Sequence, residues 1–238
     1  MNKKLLAIAI ASAVAAPGAF AVEGSASGHV NRMIMFADDG NDSDVMHVDN
    51  LNSQSRFRFT GSGDLGVGGL KTGIHLEAGW SSNASSRVTI KARNGNTTGN
   101  DISFNVRNNY LWFSGAWGKI NLGHTSQAYD GIADMSLTGA TFLSGQTNGS
   151  TTGSAIRFKT TGNAFAPGLG SGGTSTVGRA YQNYDGGRQD VLRYDTPKLG
   201  PFSAKVSVGD NQDWSFQAGL NTSFSGAKIR ILGGYADR

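Results

Sequence analysis

The sequence predicts an all-β fold, an antiparallel transmembrane β-barrel, from three observations. Ribbon-length runs alternate apolar and polar residues, the N-terminus carries an export signal, and long and short links take turns between the ribbons. The clearest ribbon pair runs from Gln54 to Trp80. Arg56 and Arg58 alternate with Phe57 and Phe59, while Ile74, Leu76 and Ala78 alternate with His75 and Glu77. Successive strand side chains point to opposite faces, so each ribbon has one apolar and one charged face. The glycine-rich turn Gly61 to Gly69 suits a tight hairpin. Alternation alone admits two architectures. A soluble sandwich turns the apolar face inward; a membrane barrel turns it toward lipid and lines a lumen with the charges.

The first residues separate these. Lys3 and Lys4, the apolar run Leu5 to Ala16 and the Ala19-Phe20-Ala21 cleavage pattern make residues 1–21 a secretory signal peptide. Residues 22–238 then form the folded domain. No later stretch approaches the roughly 18–20 apolar residues of a spanning helix, so any crossing must be made by strands. The chain has 35 glycines and no cysteine, so an exported fold gets no help from disulfides. Of the formal charge of +4, Lys3 and Lys4 supply two, and the remaining +2 makes no case for nucleic acid.

Taken in order, strand one is expected at Ser25 to Phe36. Arg32 shares a parity with Val30 and Ile34, which implies a bulge or a polar strand end. A loop follows from Ala37 to Ser53, and the ribbon pair supplies strands two and three. Ser81 to Asp101 reads as a second polar loop. Strand four spans Ile102 to Ser114, and a turn at Gly115 to Gly118 leads to strand five, Lys119 to Gly123. The third long link covers residues 124–188, with a short strand pair expected near Ala155 to Thr161 and Arg179 to Tyr184. A link of that length inside a compact domain calls for a function. Strands six to nine follow at Gln189 to Thr196, Phe202 to Gly209, Trp214 to Phe224 and Lys228 to Ala236.

Long links thus follow strands one, three and five, and short ones follow two, four, six and eight. Outer-membrane barrels carry short turns on one rim and longer loops on the other. Phe36, Trp80, Trp112, Trp117, Trp214 and Tyr235 lie near strand ends, where interfacial girdles place aromatics.

Several segments resemble Gram-negative general diffusion porins. They are Gly28-His29-Val30-Asn31-Arg32, Asp49-Asn50, Ser55-Arg56-Phe57-Arg58-Phe59-Thr60-Gly61, Asp64 to Gly73 with Leu76-Glu77, Trp117 to Gly123, and Arg193-Tyr194-Asp195-Thr196-Pro197 with Gly200 and Phe202. The resemblance covers nearly the whole exported chain. It implies a 16-stranded outer-membrane barrel, a homotrimer set in lipid and lipopolysaccharide, passing small hydrophilic solutes, with its third loop folded into the pore. Nine expected strands and an end at Asp237-Arg238 make this chain an N-terminal part of such a barrel, with an unpaired edge at the ninth strand.

On that mapping the lumen-facing bases, by parity, are Arg56, Arg58, Arg107, Arg193, Lys205 and Arg230. The third link offers Asp130, Asp134 and Asp185 as acids opposite them. Opposed fixed charges across a wet constriction set ion preference. The plainer alternative for each base is a solvated strand residue. Asp38, Asp39, Asp42 and Asp44 could hold Ca²⁺ at an external loop, although they lack the glycine placement of an EF-hand and suit a solvated acidic loop as well. The G-x-G-x-x-G match at Gly61 to Gly66 precedes another strand, so it offers no helix N-terminus for a pyrophosphate. His29, His47, His75 and His124 show no metal spacing, and no nucleophile motif is present, so no enzyme activity is expected. The competing class is a secreted all-β carbohydrate-binding or adhesion module, a β-sandwich that would bury Phe57, Phe59, Val206 and Phe216.

Overall fold

The computed structural model describes residues 23–93, 102–133, 151–160, 164, 175–180, 185–210 and 212–237. The expected signal peptide and Asp134 lie outside them. Eleven strands are described: β1 (Glu23–His29), β2 (Arg32–Asp38), β3 (Ser43–Asp49), β4 (Arg56–Asp64), β5 (Lys71–Ser81), β6 (Ser103–Gly115), β7 (Gly118–Ser126), β8 (Arg188–Asp195), β9 (Phe202–Gly209), β10 (Trp214–Phe224) and β11 (Ala227–Asp237). Nine form one sheet in the order β1-β4-β5-β6-β7-β8-β9-β10-β11, and β2 and β3 form a separate hairpin. Every neighbouring pair of the large sheet is antiparallel. Among the described residues β1 pairs only with β4 and β11 only with β10, so the sheet does not close and β11 presents the expected free edge.

One correction concerns the first expected strand. It breaks at Val30 and Asn31 instead of bulging, and its second half leaves the sheet as β2. Asn31 anchors the break: its backbone N–H donates to Ser55 Oγ at 2.9 Å and its Nδ2 to the Ser53 carbonyl at 3.0 Å. The loop expected from Ala37 to Ser53 therefore contains β3 and a 3₁₀ turn at Leu51–Ser53. Of the short pair expected in the third link, residues 161 and 181–184 lie outside the described residues; among those described, Arg157 bridges to Thr176 and a helical turn follows at Val177–Ala180. In the remaining strands tight glycine turns and alternation mark the ends, and β9 and β10 match the expected bounds.

The sheet's burial is inverted relative to a soluble domain. Ile74, Leu111, Leu122, Leu192, Val208 and Trp214 are register partners in one unbroken row across six strands, and all are exposed. The row behind it holds Gly73, Trp112, Asn121, Arg193, Ser207 and Ser215, of which Asn121, Ser207 and Ser215 are buried. Phe57, Val206 and Phe216, which a sandwich would bury, are 48%, 43% and 42% exposed. No second sheet covers them among the described residues; the only other sheet is the β2–β3 hairpin. Aromatics cluster outward at both rims: Trp117 stacks with Tyr194 at the short-turn end, and Trp214 packs with Phe216 and Tyr235 at the long-loop end. Two expected girdle members depart from this. Trp112 lies on the inner row, and Phe36 sits on the β2–β3 hairpin.

Buried apolar side chains gather instead in the long links. Met35 and Met46 of the hairpin pack with Val48 and Val88, and Met33, Ala37 and Ile156 close around them. Three long links thus meet in one cap. Ser85 Oγ donates to the Thr151 carbonyl at 2.6 Å, and Lys159 Nζ reaches Asp39 at 3.0 Å and Asp42 at 3.1 Å.

Candidate functional site

The inner face of β4 to β10 brings several of the expected bases together. Arg56 and Arg58 share the inner face of β4 because they are two residues apart, and Glu77 stands directly opposite Arg58 on β5. Arg107 arrives by a different route. The β5–β6 register shifts between Glu77 and Ala78, so that Glu77 pairs with Asn108 and Ala78 with Val106, leaving Arg107 as an extra residue. Such a bulge bends its strand and re-aims a side chain. Here it points Arg107 at Glu77 while Tyr110 and Trp112, of the opposite parity, remain on the same inner face.

Glu77, 3% exposed, accepts from all three guanidinium groups. Arg58 Nε donates to Oε2 at 2.8 Å, Arg107 Nε to Oε1 at 2.8 Å, and Arg56 Nη1 to Oε1 at 3.4 Å. Charge-assisted bonds of this kind hold planar guanidinium groups in fixed orientations. Gly79 makes the room: a Cβ there would lie 2.6 Å from Gln54 Oε1 and 2.9 Å from Arg107 Cδ. Gln54 in turn donates to Asn105 at 2.8 Å.

A second charged group sits nearer the short-turn rim. Asp195 is the register partner of both Lys119 and Lys205. Arg193 Nε donates to it at 2.9 Å, and Asn121 Nδ2 at 3.2 Å. Arg230 stands opposite Asn221 on β11 and is exposed, well away from Glu77 in the register.

The third long link turns back over this face at its start. Ala128 N–H donates to Ser207 Oγ at 2.9 Å, and Ala128 and Tyr129 are buried. A Cβ on Gly234 of β11 would lie 2.4 Å from Ile132 and 3.4 Å from Tyr129, so the glycine lets the link lie against the wall. The acids expected there behave differently from one another. Asp185 accepts the Gly131 and Gly186 N–H groups at 2.7 and 2.9 Å, which is a turn-forming role. Burial pushes the Asp130 carboxyl above its ordinary range; a hydrogen bond from Ser126 opposes this and the Asp185 charge adds to it. Among the described residues the carboxylate that meets Arg56, Arg58 and Arg107 is Glu77 of the wall itself. Its position opposite Arg58 in a hairpin was the signal that could have found it.

Three acids of the first long link, Asp39, Asp42 and Asp44, pair with bases, and Asp38 closes a turn. Asp38 accepts the Gly40 N–H at 2.7 Å, Lys91 reaches Asp42 at 2.8 Å, and Arg93 reaches Asp44 at 2.6 Å. Hydrogen bonds from Lys91 and Lys159 hold the Asp42 carboxyl below its ordinary range. A Ca²⁺ ion at these acids would have to displace those lysines and the arginine.

A single sheet with apolar residues outward, polar residues inward and aromatics at both rims is the wall of a transmembrane β-barrel. The chain belongs to the Gram-negative porin family, whose model matches residues 5–238. No curated protein matches the sequence. Among solved structures it is similar to an anion-selective porin from Comamonas acidovorans, at 20% identity and a TM-score of 0.47, over 90% of this chain and 63% of that one.

Proposed function

We propose that this chain supplies part of an outer-membrane porin: a water-filled passage for small hydrophilic solutes, lined by the inner face and favouring anions. The observation that carries this reading is the inverted burial, with Leu111, Leu122 and Leu192 outward and the charged groups inward. A lipid-facing exterior around a polar lumen accounts for both faces at once, and no catalysis is needed to account for either. Between the rims the wall presents Arg56, Arg58, Arg107, Lys119, Arg193 and Lys205, six cations, against the carboxylates of Glu77 and Asp195. A surplus of fixed positive charge along a narrow wet path raises the local concentration of anions. The packing of Ala128 to Ile132 over β9 to β11 supports a pore narrowed by the third link. Family membership supports assembly as a homotrimer among outer-membrane lipid and lipopolysaccharide.

Reconstitution of the full-length protein in planar bilayers tests this. Discrete conductance steps are expected, with a reversal potential of anion-selective sign under a KCl gradient. The double substitution Arg58→Gln and Arg107→Gln should move that potential toward cations. Failure to conduct would defeat the channel reading, and an unmoved potential would defeat the charge assignment alone.

A further inference from the structure

Below the arginine cluster the inner wall carries aromatic groups that the ion path does not require. Tyr110 and Trp112 of β6 face inward, and Lys119 of β7 holds its ammonium over both rings, 4.7 Å from the Trp112 centroid and 5.9 Å from that of Tyr110. The indole lies against Gly73, where a Cβ would be 2.6 Å from its ring carbons, so glycine is what allows this placement. His75 Nδ1 fixes the Tyr110 hydroxyl at 3.2 Å. Beside the rings, the three cations Lys119, Lys205 and Arg193 outnumber the carboxylates of Asp195 and, from the third link, Asp130.

We propose that Trp112, Tyr110, Lys119, Arg193 and Lys205 form a binding site for small arene carboxylates on the inner wall. The carboxylate meets the cations that Asp195 and Asp130 leave unmatched. Lys119, on a flexible stem, turns from the indole toward that carboxylate and gives the ring face to the arene. The proposal rests on this face being reachable from a lumen, as the pore reading has it.

The test is calorimetric titration of the folded, detergent-solubilised full-length protein with sodium benzoate and sodium cyclohexanecarboxylate, which carry the same charge on rings of similar size. Benzoate should bind about two- to tenfold more tightly, the range that aromatic pairing adds beyond area. Trp112→Leu should erase that preference, Trp112→Phe should keep it, and Lys119→Met should weaken both ligands. Arg58→Gln should leave the ratio of the two affinities unchanged, which separates the ring contact from the charge of the arginine cluster. Equal affinities in the unaltered protein, or a benzoate preference that survives Trp112→Leu, would overturn the proposal. Should Trp112→Leu lose its heat-modifiable gel migration, the Lys119→Met result decides. Benzoate preference without conductance would retain the site and reject the pore; conductance without preference would do the reverse.

Discussion

The nine-stranded sheet and the cap of long links solve opposite solvation problems with the same amino acids. In the sheet, leucines and phenylalanines are exposed while Glu77, Asn121 and Ser215 are buried. In the cap, Met35, Met46 and Val48 are buried, the acids beside them are held by ion pairs, and Lys91 and Arg93 are exposed. The cap obeys the ordinary rule that apolar area leaves water. The sheet obeys it too once its outer face is taken to meet hydrocarbon. The two patterns meet near Asn31 and Gln54, where β2 departs from the sheet.

Several substitutions would break or sharpen that contrast. The largest effect is expected at Glu77. Glu77→Ala leaves three guanidinium groups without their shared acceptor and should cost about 3–5 kcal/mol, the usual penalty for stripping one partner from a buried ion pair. Urea unfolding in detergent, followed by gel migration, measures this. Next comes Leu122→Arg on the outer row, which should impair folding into lipid vesicles by about 2–4 kcal/mol if that row crosses the bilayer midplane. Undiminished folding would remove the lipid-facing assignment. Met46→Ala should open a cavity costing about 2–3 kcal/mol, but only in the cap. Loop proteolysis should accelerate while heat-modifiable migration of the barrel stays the same.

Smaller effects concern the cap's charges. The Asp39 carboxyl is held low chiefly by the Asp42 N–H and also by Lys159, and that of Asp42 by Lys91 and Lys159. A carboxyl lowered in the folded state adds stability above its unfolded value near 3.8, and that stability is lost as pH falls through the folded value. Hydrogen exchange in β2 and β3 should therefore rise below about pH 3.8, after correction for intrinsic rates, while exchange in β6 and β7 does not. Lys91→Met, which removes an exposed base from Asp42, should give the smallest change, on the order of a two- to fivefold faster cap proteolysis at low ionic strength that fades in high salt.

Much of the sheet was legible because period-2 alternation is local. Lys205 and Val206 had to face opposite ways wherever β9 went, and the turns at Gly61 to Gly69 and Gly115 to Gly118 announced themselves by residue type. Arg56 and Arg58 could be paired on one face for the same reason. Parity failed at two places. β6 carries a bulge, so Arg107 and Trp112 share a face despite opposite parity, and Trp112 was read as a girdle residue. β2 has the alternation of a sheet strand, yet among the described residues it pairs with β3 alone, because partner choice depends on contacts far along the chain. Loop acids were harder still. Asp130 and Asp185 had no periodicity to place them, and the acid that serves the arginines came from a neighbouring strand.

The sequence by itself determined which side chains share a face, where the ribbons turn, and that strands rather than a helix must do any crossing, since each follows from neighbours within a few residues. Only the tertiary structure decided that Glu77 gathers Arg56, Arg58 and Arg107, that Ala128 to Ile132 lie against the inner wall, and that the methionines of the hairpin find Val88 and Ile156. Those outcomes depend on strand register and on the closure of long links, and a chain specifies them only when distant segments meet.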